Sequence, residues 1–237
     1  MTPKFTRVST GIKELDNILN GGLPIPSVLL IIGDVGTGKS VLCQHILYHQ
    51  ANEGFKCTYL CIDRPPLDVK LNMRSMGIDP TNLEERGLIK FVDLFIGKEE
   101  SSKGVYLCNP RDFDDLVSTV RKLVLESEHH VFVLDSISSI AFLQGERKAY
   151  DFIQRFHGWI WDVEGVGIVN AVRGGHSQFF EVAIQHALEN TISLRREDNG
   201  NVCIEVTKTT RTSHKKGKFR LDIDETGVRI KFYSTIC

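Results

Sequence analysis

The run Ser27-Val-Leu-Leu-Ile-Ile-Gly33-Asp-Val-Gly36-Thr37-Gly38-Lys39-Ser40-Val41 decides the fold. Ser27 to Ile32 is a continuous aliphatic run of strand length. With no polar alternation, it predicts a strand buried on both faces, as in a parallel sheet. A glycine-rich turn follows, and Lys39 to about Asn52 reads as a helix. Gly33-x-x-x-x-Gly38-Lys39-Ser40 fits the phosphate-loop pattern at every defined position. Its glycines let successive backbone N–H groups turn inward around phosphate oxygens, and the helix N-terminus adds its positive dipole end. In that setting Lys39 reaches the β- and γ-phosphates of ATP and the Ser40 hydroxyl ligates Mg²⁺. Gly36, Thr37, Gly38 and Val41 complete the predicted cradle.

Outward from the loop, apolar runs alternate with helical patterns. Cys57 to Ile62, Leu88 to Leu94, Val131 to Leu134 and Val166 to Val172 read as strands. Helices are predicted around Leu67 to Met76, Asp112 to Glu126 and Tyr150 to Val163. This alternation predicts a mostly parallel sheet covered by helices on both faces. The tail differs: Thr191–Arg195, Val202–Thr207, Phe219–Ile223 and Val228–Phe232 are short β segments separated by turn signals such as Glu197-Asp-Asn-Gly200. They predict an antiparallel extension of the sheet. The whole chain, 1–237, reads as one α/β domain. Asp135 ends the run His130-Val-Phe-Val-Leu-Asp135, where a phosphate-loop protein places its second Mg²⁺-holding group.

The bulk numbers exclude several classes. With 237 residues and 41% hydrophobic side chains, the chain has enough material for a core without disulfides or structural metal. Its 29 basic against 30 acidic side chains leave a net charge of −1, so a duplex-coating surface is not indicated, although a local patch stays open. Cys43, Cys57, Cys61, Cys108, Cys203 and Cys237 form no Cys-x-x-Cys pair and no zinc spacing. Most lie among apolar residues and read as buried free thiols, which suits a reducing cytoplasm. No apolar run approaches the roughly 18 residues that span a bilayer.

Four segments resemble the KaiC-like ATPases of the RecA/RadA superfamily. They are Thr10-Gly11-Ile-Lys-Glu-Leu-Asp16-Asn-Ile-Leu19-Asn-Gly21-Gly22-Leu-Pro24, Asn72-Met-Arg74-Ser75-Met-Gly77, Gln185-His186-Ala-Leu-Glu-Asn-Thr-Ile-Ser-Leu194 and Lys208-Thr-Thr-Arg211-Thr212-Ser213-His214-Lys-Lys-Gly217. The resemblance runs from about residue 8 to 232. It implies a RecA-like core that assembles into rings, usually hexamers, with nucleotide between subunits. It further implies that Lys208 and Arg211 act on a neighbour's nucleotide, with Lys208 at its γ-phosphate and Thr212 and His214 near its sugar. Ser75 matches a position lining the nucleotide site. Read without the resemblance, 208–220 is a solvated basic hairpin.

The chain departs from that family where water is activated. Asp63-Arg64 stands where relatives carry Glu-Glu. Asp63 is one methylene shorter, and Arg64 cannot be a base. Asn170-Ala171 stands where relatives carry a γ-phosphate sensor, and the signature arginine is at 211 instead of 210. Binding groups are intact and hydrolytic groups altered, so slow turnover is expected. Three functions stay open: a slow ATPase ring, a nucleotide-dependent scaffold like the accessory ATPase of the archaellum motor, and a recombination mediator binding single-stranded DNA or a recombinase. For the third, the loop Arg173-Gly-Gly-His176-Ser-Gln-Phe179-Phe180 offers stacking groups. The same aromatics equally suit a helix start or a subunit interface.

Overall fold

The computed structural model describes residues 6–95, 108–128 and 130–232; Cys237 lies outside them. The predicted phosphate-loop strand is β3 (Ser27–Gly33), preceded by β1 (Arg7–Val8), α1 (Lys13–Ile18) and β2 (Leu23–Pro24). After it come α2 (Lys39–Asn52), β4 (Cys57–Cys61), α3 (Pro66–Ser75), α4 (Thr81–Glu85), β5 (Ile89–Asp93) and α5 (Phe113–Leu125). Then follow β6 (Val131–Asp135), α6 (Ile137–Gln144), α7 (Glu146–Asp162), β7 (Val166–Val172) and α8 (Gln178–Ala187). The chain closes with β8 (Asn190–Arg196), β9 (Val202–Lys208), β10 (Phe219–Asp224) and β11 (Gly227–Phe232).

Nine strands form one sheet in the order β11-β10-β9-β8-β3-β7-β6-β4-β5. From β8 through β5 all pairings are parallel, and β3 lies at the centre with all seven residues buried. The antiparallel extension begins one strand later than the tail segments suggest. Thr191–Arg195 falls in β8, which runs parallel to β3, and only β9, β10 and β11 are antiparallel. The reason is α8: a helix between β7 and β8 supplies the crossover that a parallel pair requires.

Two apolar layers sandwich the sheet. Leu15, Ile18, Leu42, Ile46 and Met73 pack one face beneath α1, α2 and α3. Leu116, Val120, Phe152, Phe156 and Ile184 pack the other beneath α5, α7 and α8. The segment Thr10 to Asp16 has a local explanation. The Asp16 carboxylate accepts from the Thr10 N–H at 2.7 Å and the Thr10 hydroxyl at 2.8 Å, pinning the start of α1 so that Leu15 and Ile18 are fully buried. Four helices escape sequence reading: α1 and α4, of six and five residues, are too short to show a period, and α6 and α8 are masked by their neighbours. Ile137–Gln144 spans barely two turns, with Ser138-Ser139 among its apolar residues, so no helical period stands out. Helix α8 starts where a Gly-rich loop is expected to continue; Ser177 caps it, accepting from the Phe180 N–H at 3.2 Å.

Candidate nucleotide site

The site forms at the C-terminal ends of the parallel strands, where β3 turns into α2. Gly38 has φ +85°, which favours glycine, and a Cβ there would also push aside the terminal methyl of Ile223 on β10. A Cβ at Gly33 would overlap the Leu194 carbonyl of β8. The Lys39 ammonium lies over the loop it will serve, donating to the Gly33 carbonyl at 3.0 Å and the Asp34 carbonyl at 2.8 Å. Burial pulls its pKa below the ordinary lysine value, opposed by Asp135 and Asp34. Arg196 braces the loop from β8: its N–H donates to the Asp34 carboxylate at 2.9 Å and its guanidinium to the Gly36 carbonyl at 2.9 Å.

The metal-binding pair expected from sequence is brought together. The Ser40 hydroxyl donates to the Asp135 carboxylate at 3.1 Å. Asn170 on β7 donates to the same carboxylate oxygen, and the Tyr59 hydroxyl on β4 donates to the other. Burial pushes the Asp135 carboxyl up from its ordinary value, and the donors from Tyr59, Asn170 and Ser40 oppose that push. A buried carboxylate beside a hydroxyl at the mouth of a phosphate loop suits a hard, oxygen-seeking cation such as Mg²⁺.

Asp63 sits just beyond β4, its N–H on the Asp135 carbonyl at 3.1 Å. Its carboxylate is engaged: it accepts from the Ser136 N–H at 3.2 Å, the Ser136 hydroxyl at 2.9 Å and the Ser139 hydroxyl. Two cavities adjoin the loop. One of about 210 Å³ is lined by Lys39, Ser40, Gln44, Arg64 and Asn72 among others. A second of about 580 Å³ lies over Gly36–Gly38 and Val41, walled by Arg196 and by Leu221 to Asp224 of β10. Ser75 is not on either wall. It ends α3, exposed, with its hydroxyl on the Asn72 carbonyl at 2.8 Å, and Asn72 takes the lining position one turn earlier.

The Lys208–His214 segment lies elsewhere. Lys208 is paired with Thr191 near the start of β8, and Arg211 donates to the Pro26 carbonyl just before β3. The phosphate loop is at the opposite end of β3, about 20 Å away for seven extended residues. Nor is this a solvated hairpin. Lys208 donates to the carbonyls of Gln185 and His186 at 2.8 and 2.9 Å, and to that of Leu188, closing the C-terminus of α8 as a cation should. The Arg211 guanidinium stacks 4.8 Å above the Trp161 ring. Thr212 accepts from Arg7 at 2.7 Å, and His214 pairs with the Thr209 hydroxyl at 2.8 Å.

Of the loop's charged and aromatic residues, Phe179 alone is exposed, at 84%. Phe180 is buried beneath the start of α8, His176 stacks between Phe142 and Phe180, and Arg173 donates to Ser193 at 2.7 Å.

The KaiC ATPase family model matches residues 8–234, which include the whole nine-stranded sheet and the residues lining both cavities. The chain belongs to the KaiC ATPase family. It is 26% identical over 234 residues to a UPF0273 protein of Methanopyrus kandleri, covering 94% of this chain and 91% of that one. It is 28% identical over 236 residues to a UPF0273 protein of Thermotoga maritima, at 94% and 95% coverage. A crystal structure of a KaiC-like protein from Pyrococcus horikoshii superposes with TM-score 0.81 over 97% of this chain and 100% of its own, at 21% identity, which bears on the fold alone. This KaiC-family chain is therefore a RecA-like nucleotide-binding protein with a mostly parallel sheet. No helix of the described residues is long and apolar enough to cross a membrane.

Sequence reading misses Tyr59, Gln44, Asn72, Ser136, Ser139 and Arg196, all of which touch or line the site. For Tyr59 a signal exists: a phenol in a strand whose five residues are all buried, at a position that β pairing sets beside Val133, two residues from Asp135. For Arg196 and Asn72 no local pattern marks them.

Proposed function

We propose that this chain, as one domain, binds ATP with Mg²⁺ in the cytoplasm, hydrolyses it slowly and assembles with copies of itself around the nucleotide. The observation that carries the reading is the contrast between the two halves of the site. Lys39, Ser40, Asp135 and the loop N–H groups supply a full set of phosphate and metal partners. Asp63, the candidate base, has its carboxylate drawn onto Ser136 and Ser139. Mg²⁺ held by Ser40 and Asp135 would neutralise charge on the phosphates. Lys39 and the loop amides would orient them, and the cavity against β10 would take the base and sugar. Cys43, Cys57, Cys61, Cys108 and Cys203 are buried free thiols, in keeping with a reducing compartment.

The experiment is phosphate release from Asp63 variants. Asp63→Glu is expected to leave ATP binding unchanged and raise turnover at least about tenfold, since a well-placed general base contributes 10²–10⁴-fold. The longer side chain reaches past the two serines. A brisk wild-type rate, or Asp63→Asn at full wild-type activity, would sink the assignment.

Head-to-tail assembly is supported by unpartnered apolar surface on opposite faces of the sheet. Helix α3 exposes Leu67 at 64% and Leu71 at 51%, while α8 exposes Phe179 and also Val182 at 57%. A contact between unlike faces generates a ring when its rotation closes and an open filament when it does not. Lys208, Arg211, Thr212 and His214 are too far from their own loop to serve it, so a nucleotide role for them would be at a neighbour's and would require Lys208 to leave the end of α8. Lys208→Ala would also release the end of α8, so the discriminating variant is Leu71→Asp. Wild type is expected to grow in mass with ATP-Mg²⁺ and Leu71→Asp to remain a single chain that still binds ATP, but more weakly, because assembly and nucleotide binding are linked. Wild type that stays monomeric at saturating ATP refutes the ring.

The scaffold reading, in which binding without turnover orders the assembly, is favoured by the same engaged Asp63 and corresponds to an undetectable rate in every Asp63 variant. The nucleic-acid reading gains no support from the 173–180 loop, where Arg173, His176 and Phe180 already have protein partners.

A further inference from the structure

We infer that Tyr59 is the positioning residue for the Asp135 carboxylate, and that Gln44 and Asn72 extend this link to the rim of the nucleotide cavity. The inference rests on the nucleotide-binding reading above.

Four side chains from four elements form one hydrogen-bonded line. The Asn72 amide on α3 donates to the Gln44 carbonyl oxygen at 2.8 Å. The Gln44 amide on α2 donates to the Tyr59 hydroxyl at 3.5 Å, the longest link. Tyr59 on β4 donates in turn to Asp135 on β6. Every N–H or O–H points the same way, towards the carboxylate. Hydrogen bonds aligned head to tail polarise one another, so each link strengthens the next. A line of opposite or mixed direction would have no such property.

The position of Tyr59 makes its hydroxyl informative. The side chain is wholly buried, its ring 5.9 Å from that of Phe91. Phenylalanine would fill the same space; what tyrosine adds is a group that needs a partner inside the core. That partner is the one carboxylate oxygen that Ser40 and Asn170 do not touch, because both of these donate to the other oxygen. With Ser40 turned away to a cation, Tyr59 and Asn170 would remain, one on each oxygen, to fix the carboxylate's orientation. Partners of this kind around a metal-binding group typically govern affinity 10–100-fold.

The outer end of the line is where a ligand arrives. Gln44 and Asn72 line the cavity of about 210 Å³ together with Lys39 and Ser40. Whatever displaces Asn72 at the rim therefore acts on Asp135 through three hydrogen bonds, without touching it.

The test is ADP binding by calorimetry, in EDTA and across a Mg²⁺ series. Wild type is expected to bind in EDTA and to tighten with Mg²⁺. Tyr59→Phe should match wild type in EDTA and lose about tenfold of the Mg²⁺-dependent tightening, as expected for a hydrogen bond to a charged group. Asn72→Ala, a half-buried rim change that leaves the core intact, should act in the same direction but less. Added to Tyr59→Phe it should cost nothing further, because the line is already cut. A Tyr59→Phe variant with the wild-type Mg²⁺ response, or one weakened equally in EDTA and Mg²⁺, overturns the positioning role. Additive losses from the two changes overturn the link to the rim. Wild type that ignores ADP in both buffers would overturn the nucleotide-binding reading as well.

Discussion

Lys39→Ala should melt like the wild type without ligand and gain nothing from ATP and Mg²⁺. Wild type at a ligand concentration 100 times its dissociation constant should gain about 2.7 kcal/mol, roughly 5–10 °C for a chain of this size. The unliganded half of the expectation follows from what the ammonium leaves behind. The Gly33 carbonyl still accepts from the Arg173 N–H at 2.9 Å, and the Asp34 carbonyl still accepts from the Thr37 hydroxyl at 2.8 Å. No polar group is orphaned, and a cation already disfavoured by burial is removed. The liganded half follows from charge. Lys39 is the ammonium at the phosphate end of the cradle, and charge-assisted bonds to phosphate are the strong ones. Differential scanning of both proteins with and without ATP-Mg²⁺ checks both halves. A mutant that gains as much as the wild type removes Lys39 from the site.

Glu189→Ala is expected to cost about 1–3 kcal/mol of stability. The carboxylate is buried between α8 and β8 and accepts from three sources. They are the Val28 N–H of β3 at 2.9 Å, His157 of α7 at 2.7 Å and the Trp161 indole N–H at 2.8 Å. Alanine would leave the buried Val28 N–H with nothing to bond, while half-buried His157 and exposed Trp161 could turn to water. The pH dependence has a definite sign. Burial alone would push the Glu189 carboxyl up, but the bonds from His157, the Val28 N–H and Trp161 hold it below its ordinary value. A depressed carboxyl contributes stability that is present above its unfolded pKa and lost as pH falls through the folded one. The stability gap between wild type and Glu189→Ala should therefore be full at neutral pH and shrink below the ordinary carboxylate range. Glu189→Gln keeps an acceptor, so it should lose less and show no such slope. Chemical denaturation of the three proteins from neutral to acid pH decides it. A gap that stays constant over that range would show that the charge contributes nothing.

Much of the architecture is legible because each local signal agrees with the next. The β3 run, the glycines of the loop and the helix after it are contiguous, so the phosphate cradle is encoded within 14 residues, Ser27 to Ser40. The strand Val166–Val172 is found with its sequence boundaries unchanged, because an aliphatic run bounded by Gly165 and Arg173-Gly174 admits one reading. Asp135 follows from its place at the end of an aliphatic strand. By contrast, α6 and α8 are masked, one by its short, serine-interrupted sequence and the other by the glycines before it.

The sequence by itself determined the glycine-rich loop, the parallel sheet and the meeting of Ser40 with Asp135, since these depend on residues adjacent in the chain or on strand ends that a parallel sheet must align. Tertiary structure alone decided what the remaining polar groups do. Tyr59 meets Asp135 across 76 positions, Asp63 meets Ser139 across another 76, and Glu189 meets Val28 across 161. It also decided that Lys208, basic and apparently free in sequence, closes a helix. No periodicity records such pairings. They exist because folding removes water from these groups, and each must then find whichever partner the sheet order β8-β3-β7-β6-β4 has brought beside it.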